Sequence, residues 1–383
     1  MDPEIKRRLV KWGLIAGGSL AGLVLILLIS VLLYARSLAS GRSDPVETER
    51  FLTRDTSGVL LVSLQPSDDG VDELFDQIAA GYDAARAAKA GFWEKLGYWL
   101  VGFDRPSELI TRPLPAEIAV VVRYDETAER FNSYAVYSVS GLARLISHGS
   151  RHLSRYAPGL AKEYEARTYE GETFFVPRSA SLTRSDRLRA RDVKMLVPGG
   201  GPPACWSVAD NNVLLANHPD SLESAIDRLG AIRAGEGQPR GAICSILPPH
   251  LSDVDIRGAL LNRHGELAGL LTVLGEVRGA EVLRRWLAAQ SNRRLLSAVE
   301  SVTIAADVQP DDRVLITARF AHAPGWPMER FFTVLEAALR SCRPAPPMRL
   351  EVQVSPSPGE VEVQVIVSGL GAYYRGAAEA TAD

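Results

Sequence analysis

An apolar stretch without a charge runs from Trp12 to Ala35, WGLIAGGSLAGLVLILLISVLLYA, over 24 residues. As a helix rising about 1.5 Å per residue it is roughly 36 Å long, enough to cross a bilayer core. The pattern predicts a transmembrane helix over 12–35, with Trp12 and Tyr34 at the headgroup boundaries. Lys6, Arg7, Arg8 and Lys11 precede it, so the positive-inside rule puts the basic segment 1–11 in the cytoplasm and the rest outside. A cleaved signal peptide competes, with a cut among the small residues Ser37 to Gly41, although the run exceeds the roughly 7 to 15 apolar residues of a signal sequence.

Beyond a linker over 36–57 the period changes. Gly58 opens GVLLVSLQP and Gly241 opens GAICSILPP, both read as short apolar strands at an offset of 183. At the same offset Glu117 begins EIAVVVRY and Glu300 begins ESVTIAADV, each a strand followed by a polar turn and a returning strand. Helical spacing follows in both, through Leu142, Leu145 and Ile146 and through Met328, Phe331, Phe332, Leu335 and Leu339. Hairpins from Glu165 and from Met348 come next, which argues for an internal repeat.

The first copy runs on into a hairpin, Cys205 to Asn217, with Asp210-Asn211-Asn212 at its turn, and a helix near Asp220. Asp220 with Glu223 fits a capping box, and Leu222, Ile226 and Leu229 form its buried stripe. Each copy also holds a helical region between strand and hairpin, Val71 to about Phe103 and Ile256 to about Gln290. The expected fold class is α+β: one N-terminal transmembrane helix, then a duplicated module of antiparallel sheet with covering helices. The lobes span 58–234 and 241–370, the second shorter and without the last hairpin and helix, with a linker at 235–240 and a tail at 371–383.

The single anchor, the paired halves and the phrase CWSVADNNVLLANHPDSLESAIDRL together resemble a bacterial family of N-terminally anchored extracytoplasmic α+β proteins catalogued only as a domain of unknown function. The resemblance covers much of residues 58 to 370 in pattern. It implies an envelope protein and assigns no catalytic residue.

A formal charge of -3 gives no strongly basic surface and argues against nucleic acid as a partner. Three cysteines, Cys205, Cys244 and Cys342, leave room for one disulfide in an oxidising compartment, and spacing does not choose the pair. No cofactor motif is present: Pro198 to Pro203 is Gly-rich but no G-K-[ST] follows, and neither G-x-S-x-G nor S-x-x-K occurs. His148 and His152, four apart on a predicted helix, are weak metal candidates, a partly buried structural histidine being the simpler account.

Surfaces carry the remaining candidates. Gly13 with Gly17, and Gly18 with Gly22, have the spacing at which membrane helices approach closely, which suits a homo-oligomer or a larger membrane complex. Residues 144–194 hold eleven basic against six acidic side chains, densest at Arg184, Arg187, Arg189 and Arg191, either an anion-facing patch or a solvated loop. Phe92, Trp93 and Trp99 recur at helical intervals and either line an apolar contact or form core. Together these predict a non-enzymatic, single-pass binding or scaffolding subunit of a bacterial cell-envelope complex, in the inner membrane with its main domain periplasmic or extracellular. It would contact membrane lipids and other envelope proteins. A carrier or sensor of an apolar or lipid ligand, and an envelope hydrolase with a site assembled from distant segments, are the alternatives.

Overall fold

The computed structural model describes residues 47–63, 117–126, 130–138, 164–178, 205–209, 212–236, 240–249, 255–268, 295–309, 312–323 and 346–373, with single positions between them. The chain enters through a one-turn 3-10 helix, Thr48–Phe51, and passes directly into β1, Thr56–Ser63. Aliphatic and β-branched runs then form β2 (Glu117–Asp125), β3 (Arg130–Ser138), β4 (Tyr164–Tyr169), β5 (Glu172–Pro177), β6 (Cys205–Ala209) and β7 (Asn212–Ala216). Helices α1 (Pro219–Arg233) and α2 (Ile243–Ile246) lead to β8 (Ile256–Leu261), β9 (Val299–Gln309), β10 (Arg313–His322), β11 (Arg349–Ser357) and β12 (Glu360–Ser368).

All twelve strands lie in one sheet, in the order β11-β12-β10-β9-β8-β1-β2-β3-β7-β6-β5-β4, and each pairing is antiparallel. The two halves meet where β1 pairs with β8. Gly58-Val59-Leu60-Leu61 of β1 and Gly258-Ala259-Leu260-Leu261 of β8 cross there about the pair Val59↔Ala259, so Gly58 faces Leu260 and Gly258 faces Leu60. A Cβ on Gly58 would lie 2.8 Å from Leu260 Cδ1, and one on Gly258 would lie 3.2 Å from Leu60 Cδ1. Each glycine thus makes room for the other strand's leucine.

Side chains alternate between faces along each strand. The first core gathers Val59 and Leu61 of β1, Ala119 and Val121 of β2, Tyr134 and Val136 of β3, and Leu214 and Ala216 of β7 under α1, α2 and the entry helix. Leu222, Ile226 and Leu229 of α1 are buried in it, each contributing about 1.5–3 kcal/mol of burial free energy. The second core takes the opposite face, with Val302, Phe320, Val352, Val361 and Val363 packed with Leu260, Leu267, Leu296 and Phe332.

These findings correct the α+β expectation. Among the described residues the protein is one large antiparallel sheet with few helices, because β1 and β8 join what the sequence reads as separate lobes. No helix of the described residues is long and apolar enough to cross a membrane, and residues 12–35 lie outside them.

Several local expectations change with it. Gly241 does not open a strand: it sits at φ 120° against the Thr53 carbonyl, and the one-turn helix α2 follows. Ile256 opens strand β8 rather than a helix. In the sheet, the β11–β12 hairpin occupies the place of β6–β7, next to β10 as β7 is next to β3. The second half therefore lacks a counterpart of β4–β5 among the described residues, not of the Cys205 hairpin. A helical turn also begins at Leu370 after β12, as α1 follows β7.

Candidate functional site

Antiparallel register builds the most distinctive surface of the described residues, the face of β9, β10, β12 and β11 opposite the second core. Thr303, Arg319, Glu362 and Ser355 form one row across the four strands, and Ala305, Thr317, Gln364 and Gln353 form the next. Every one of these residues is exposed or half-exposed. On the same face of the first half the positions are apolar and covered by α1. One sheet face is thus core on one side of the β1–β8 seam and open polar surface on the other.

A small network fixes the middle of this surface. Arg319 donates from Nε to Glu362 Oε2 at 2.9 Å, and Gln364 donates to Glu362 Oε1 at 2.7 Å. Arg319 Nε also lies 3.7 Å from Glu360. The Arg319 side chain is 58% exposed, so these ion pairs contribute at most about 1 kcal/mol of stability. They bring a guanidinium and two carboxylates together on an exposed part of the sheet. The array exposes hydroxyl, amide, guanidinium and carboxylate groups, a mixture of hydrogen-bond donors and acceptors.

A second polar cluster lies beneath the entry helix, its groups largely paired with one another, with Arg123 Nε buried and without a hydrogen-bond partner. Arg123 pairs with Asp55 at 3.0 Å and stands 5.9 Å from the centre of the Tyr134 ring. Tyr134 donates its hydroxyl to the Phe51 carbonyl at 3.1 Å, and burial pushes its pKa up to about 12. Arg228 of α1 donates to the carbonyls of Arg50, Leu52 and Gln238 at 2.6, 3.1 and 2.8 Å. Arg257 of β8, buried, donates to Glu49 at 2.9 Å and to the Pro248 carbonyl at 3.2 Å. These groups tie the entry segment to both halves of the sheet.

Two of the three cysteines, Cys205 and Cys244, are described, and Cys342 lies outside the described residues. Burial pushes Cys205 up to about 12 and raises Cys244, and both are free of disulfides. Among the described residues no group of three or more His, Cys, Asp and Glu side chains is placed to hold a metal ion.

The residues singled out from the sequence, His148 and His152, Gly13, Gly17, Gly18 and Gly22, Arg184, Arg187, Arg189 and Arg191, and Phe92, Trp93 and Trp99, all lie outside the described residues. Asp312, in the turn between β9 and β10, accepts with its carboxylate from the N–H groups of Gly371 and Ala372, capping the helical turn that starts at Leu370. The expected capping box of α1 is replaced by His218, whose Nδ1 accepts from the Asp220 N–H at 3.3 Å ahead of Pro219. The open face itself left a signal in the alternation of LEVQVS and EVEVQV, whose Glu351, Gln353, Ser355, Glu362 and Gln364 share one side. Without the register nothing marked that side as the one facing away from core.

Among the described residues, this architecture defines a broad antiparallel-sheet protein with a polar, partly exposed face on β9, β10, β12 and β11. No family model, curated protein or solved structure matches the chain.

Proposed function

We propose that the protein is a non-catalytic binding or scaffolding subunit of a bacterial cell-envelope complex, held at the membrane through its apolar N-terminal segment with the sheet on the extracytoplasmic side. The observation that carries this reading is the open face of β9, β10, β12 and β11, whose Arg319–Glu362–Gln364 network is set on rigid strands. A sheet holds such groups at fixed spacing, so little side-chain entropy is lost when a partner docks. Membrane placement rests on the uncharged run from Trp12 to Ala35 and the basic residues before it.

The test is purification of the full chain from its native membrane in mild detergent, with mass spectrometry of what accompanies it. The expected result is a partner in stoichiometric amount that is lost when Arg319→Glu and Gln364→Lys are combined. A chain that purifies alone, or a partner that the double variant retains, overturns the reading.

A further inference from the structure

One end of the sheet, β4, has the makings of a homotypic interface. It is joined to β5 through Glu170 and Gly171, with φ of 47° and 80°, the two left-handed positions that a type I′ hairpin turn requires. In such a hairpin the flanking residues, Tyr169 and Glu172, form a hydrogen-bonded pair, and the pairs alternate from there. Arg167 and Glu165 therefore bond inward to β5. Tyr164, Ala166 and Thr168 turn their backbone N–H and C=O groups outward.

Glu165, Ala166, Arg167 and Thr168 are consecutive and all exposed. On the outer side Arg178 Nε donates to the Tyr164 carbonyl at 3.2 Å, while Ala166 and Thr168 meet no partner among the described residues. The opposite end of the sheet is guarded. By the same alternation from the Ser357↔Glu360 pair, Pro356 falls at an outward position of β11 and withholds a donor there.

We propose that β4 is a docking edge for a second copy of this chain, pairing antiparallel with the partner's β4 about a two-fold axis at Ala166. Register selects that axis. Centred on Ala166, the outward groups of Ala166 meet those of the partner's Ala166, and Tyr164 meets the partner's Thr168. The pair between them is then of the non-hydrogen-bonded kind, with Cα atoms about 4.5 Å apart, and it sets Glu165 against the partner's Arg167 on both sides of the axis. Centring on Glu165 or on Arg167 would oppose like charges. On β11 the axes at Val352 and Val354 set Glu351 against Gln353 and Ser357, and the axis at Leu350, which does set Arg349 against the partner's Glu351, overlaps only three strand residues where β4 overlaps five, because β11 begins at Arg349. Because the β4 contact is isologous it closes at two copies, whereas β4 against β11 would propagate without end.

The test is the mass of the full chain in mild detergent, by light scattering and sedimentation over a concentration series. The wild type is expected to pass from monomer to dimer. Ala166→Pro removes an outward donor that β5 does not use, so it should abolish the dimer with the melting temperature kept. Arg167→Glu should weaken dimerisation at least about tenfold, and adding Glu165→Arg should restore it to within about threefold. A wild type that is monomeric throughout, a dimer indifferent to Ala166→Pro, or a charge swap that fails to restore pairing would each overturn the proposal. None of these outcomes bears on the open polar face, whose test reads a different partner.

Discussion

Replacing Gly58 with alanine probes the seam that makes the two halves one sheet. The new Cβ would stand 2.8 Å from Leu260 Cδ1, well inside the roughly 3.5–4.0 Å of good carbon contact. Leu260 belongs to the other half and packs partly on the second core, so it must swing away from Val302 and Ile304. Overpacking of this size costs about 1–2 kcal/mol, of which alanine returns about 0.5 kcal/mol by stiffening the unfolded chain relative to glycine. Leu260→Ala alone, at a half-buried site, should cost about 1–3 kcal/mol. In the double variant the clash is gone and only the leucine's loss remains. Denaturant unfolding of the four proteins should give a coupling of about 1–2 kcal/mol. The mirror pair gives an internal control: a Cβ on Gly258 meets the backbone carbonyl of Val59 at 3.3 Å as well as Leu60 Cδ1, so Leu60→Ala should relieve Gly258→Ala only in part. Costs at Gly58 and Leu260 that add to within about 0.5 kcal/mol would refute the pairing of β1 with β8.

Alkaline pH should destabilise the protein in a defined window. Cys205 and Tyr134 keep their protons to about pH 12 when folded but lose them near 9.0 and 10.0 when unfolded, so stability is intact below about pH 9 and falls from there to about pH 12. The two-unit shift of Tyr134 corresponds to about 3 kcal/mol, and unfolding of Tyr134→Phe across that range should show a shallower fall; an unchanged slope would contradict the assignment. Asp312→Ala should cost about 1 kcal/mol and hasten proteolysis after Ser368, while Asp312→Gly, suited to its φ of 60°, should cost less. Equal losses would show that the backbone rather than the cap matters least there. Arg257→Met removes two part-buried hydrogen bonds from a buried side chain and should cost about 1–3 kcal/mol, against under about 0.5 kcal/mol for Arg319→Met on the open face, both by urea unfolding. Similar costs for the two would undo the distinction between structural and surface arginines.

Local chemistry was readable from the sequence where one short segment decides it. The stripe of Leu222, Ile226 and Leu229 marks α1, and the strands of Glu117, Glu300, Cys205 and Met348 occur where alternation places them. Pairing was not readable, because register depends on a partner that no single segment names. The sequence aligns Glu117 with Glu300 at an offset of 183. In the sheet Gly58 lies opposite Val122 and Gly258 opposite Ile304, so the first strands repeat at an offset of 200 and the second at 182. A slip of one residue on a strand exchanges its two faces. The slip hid the open surface, since it put Thr303 out of phase with Val121. The glycine of GAICSILPP also mimics the β1 motif while GALL, the actual counterpart, sits inside a segment whose leucines fit a helical period.

The seam explains why an exposed polar face can coexist with a stable sheet. An antiparallel strand needs only one apolar side to be held, and either side serves. In the first half the side of Val59 is buried under α1, and in the second the side of Leu260 is buried with Leu267, Leu296 and Phe332. Val59 and Leu260 are neighbours across the β1–β8 pair, and Leu61 sits opposite the buried Arg257, so the change of covered face takes place within two strands. Beyond it, β9, β10, β12 and β11 are anchored from behind by their valines, which frees Thr303, Thr317, Arg319, Gln353, Glu362 and Gln364 from any duty in the core. Substitution at those six positions should therefore leave stability to urea within about 0.5 kcal/mol, while under the proposed function it weakens co-purification of the partner.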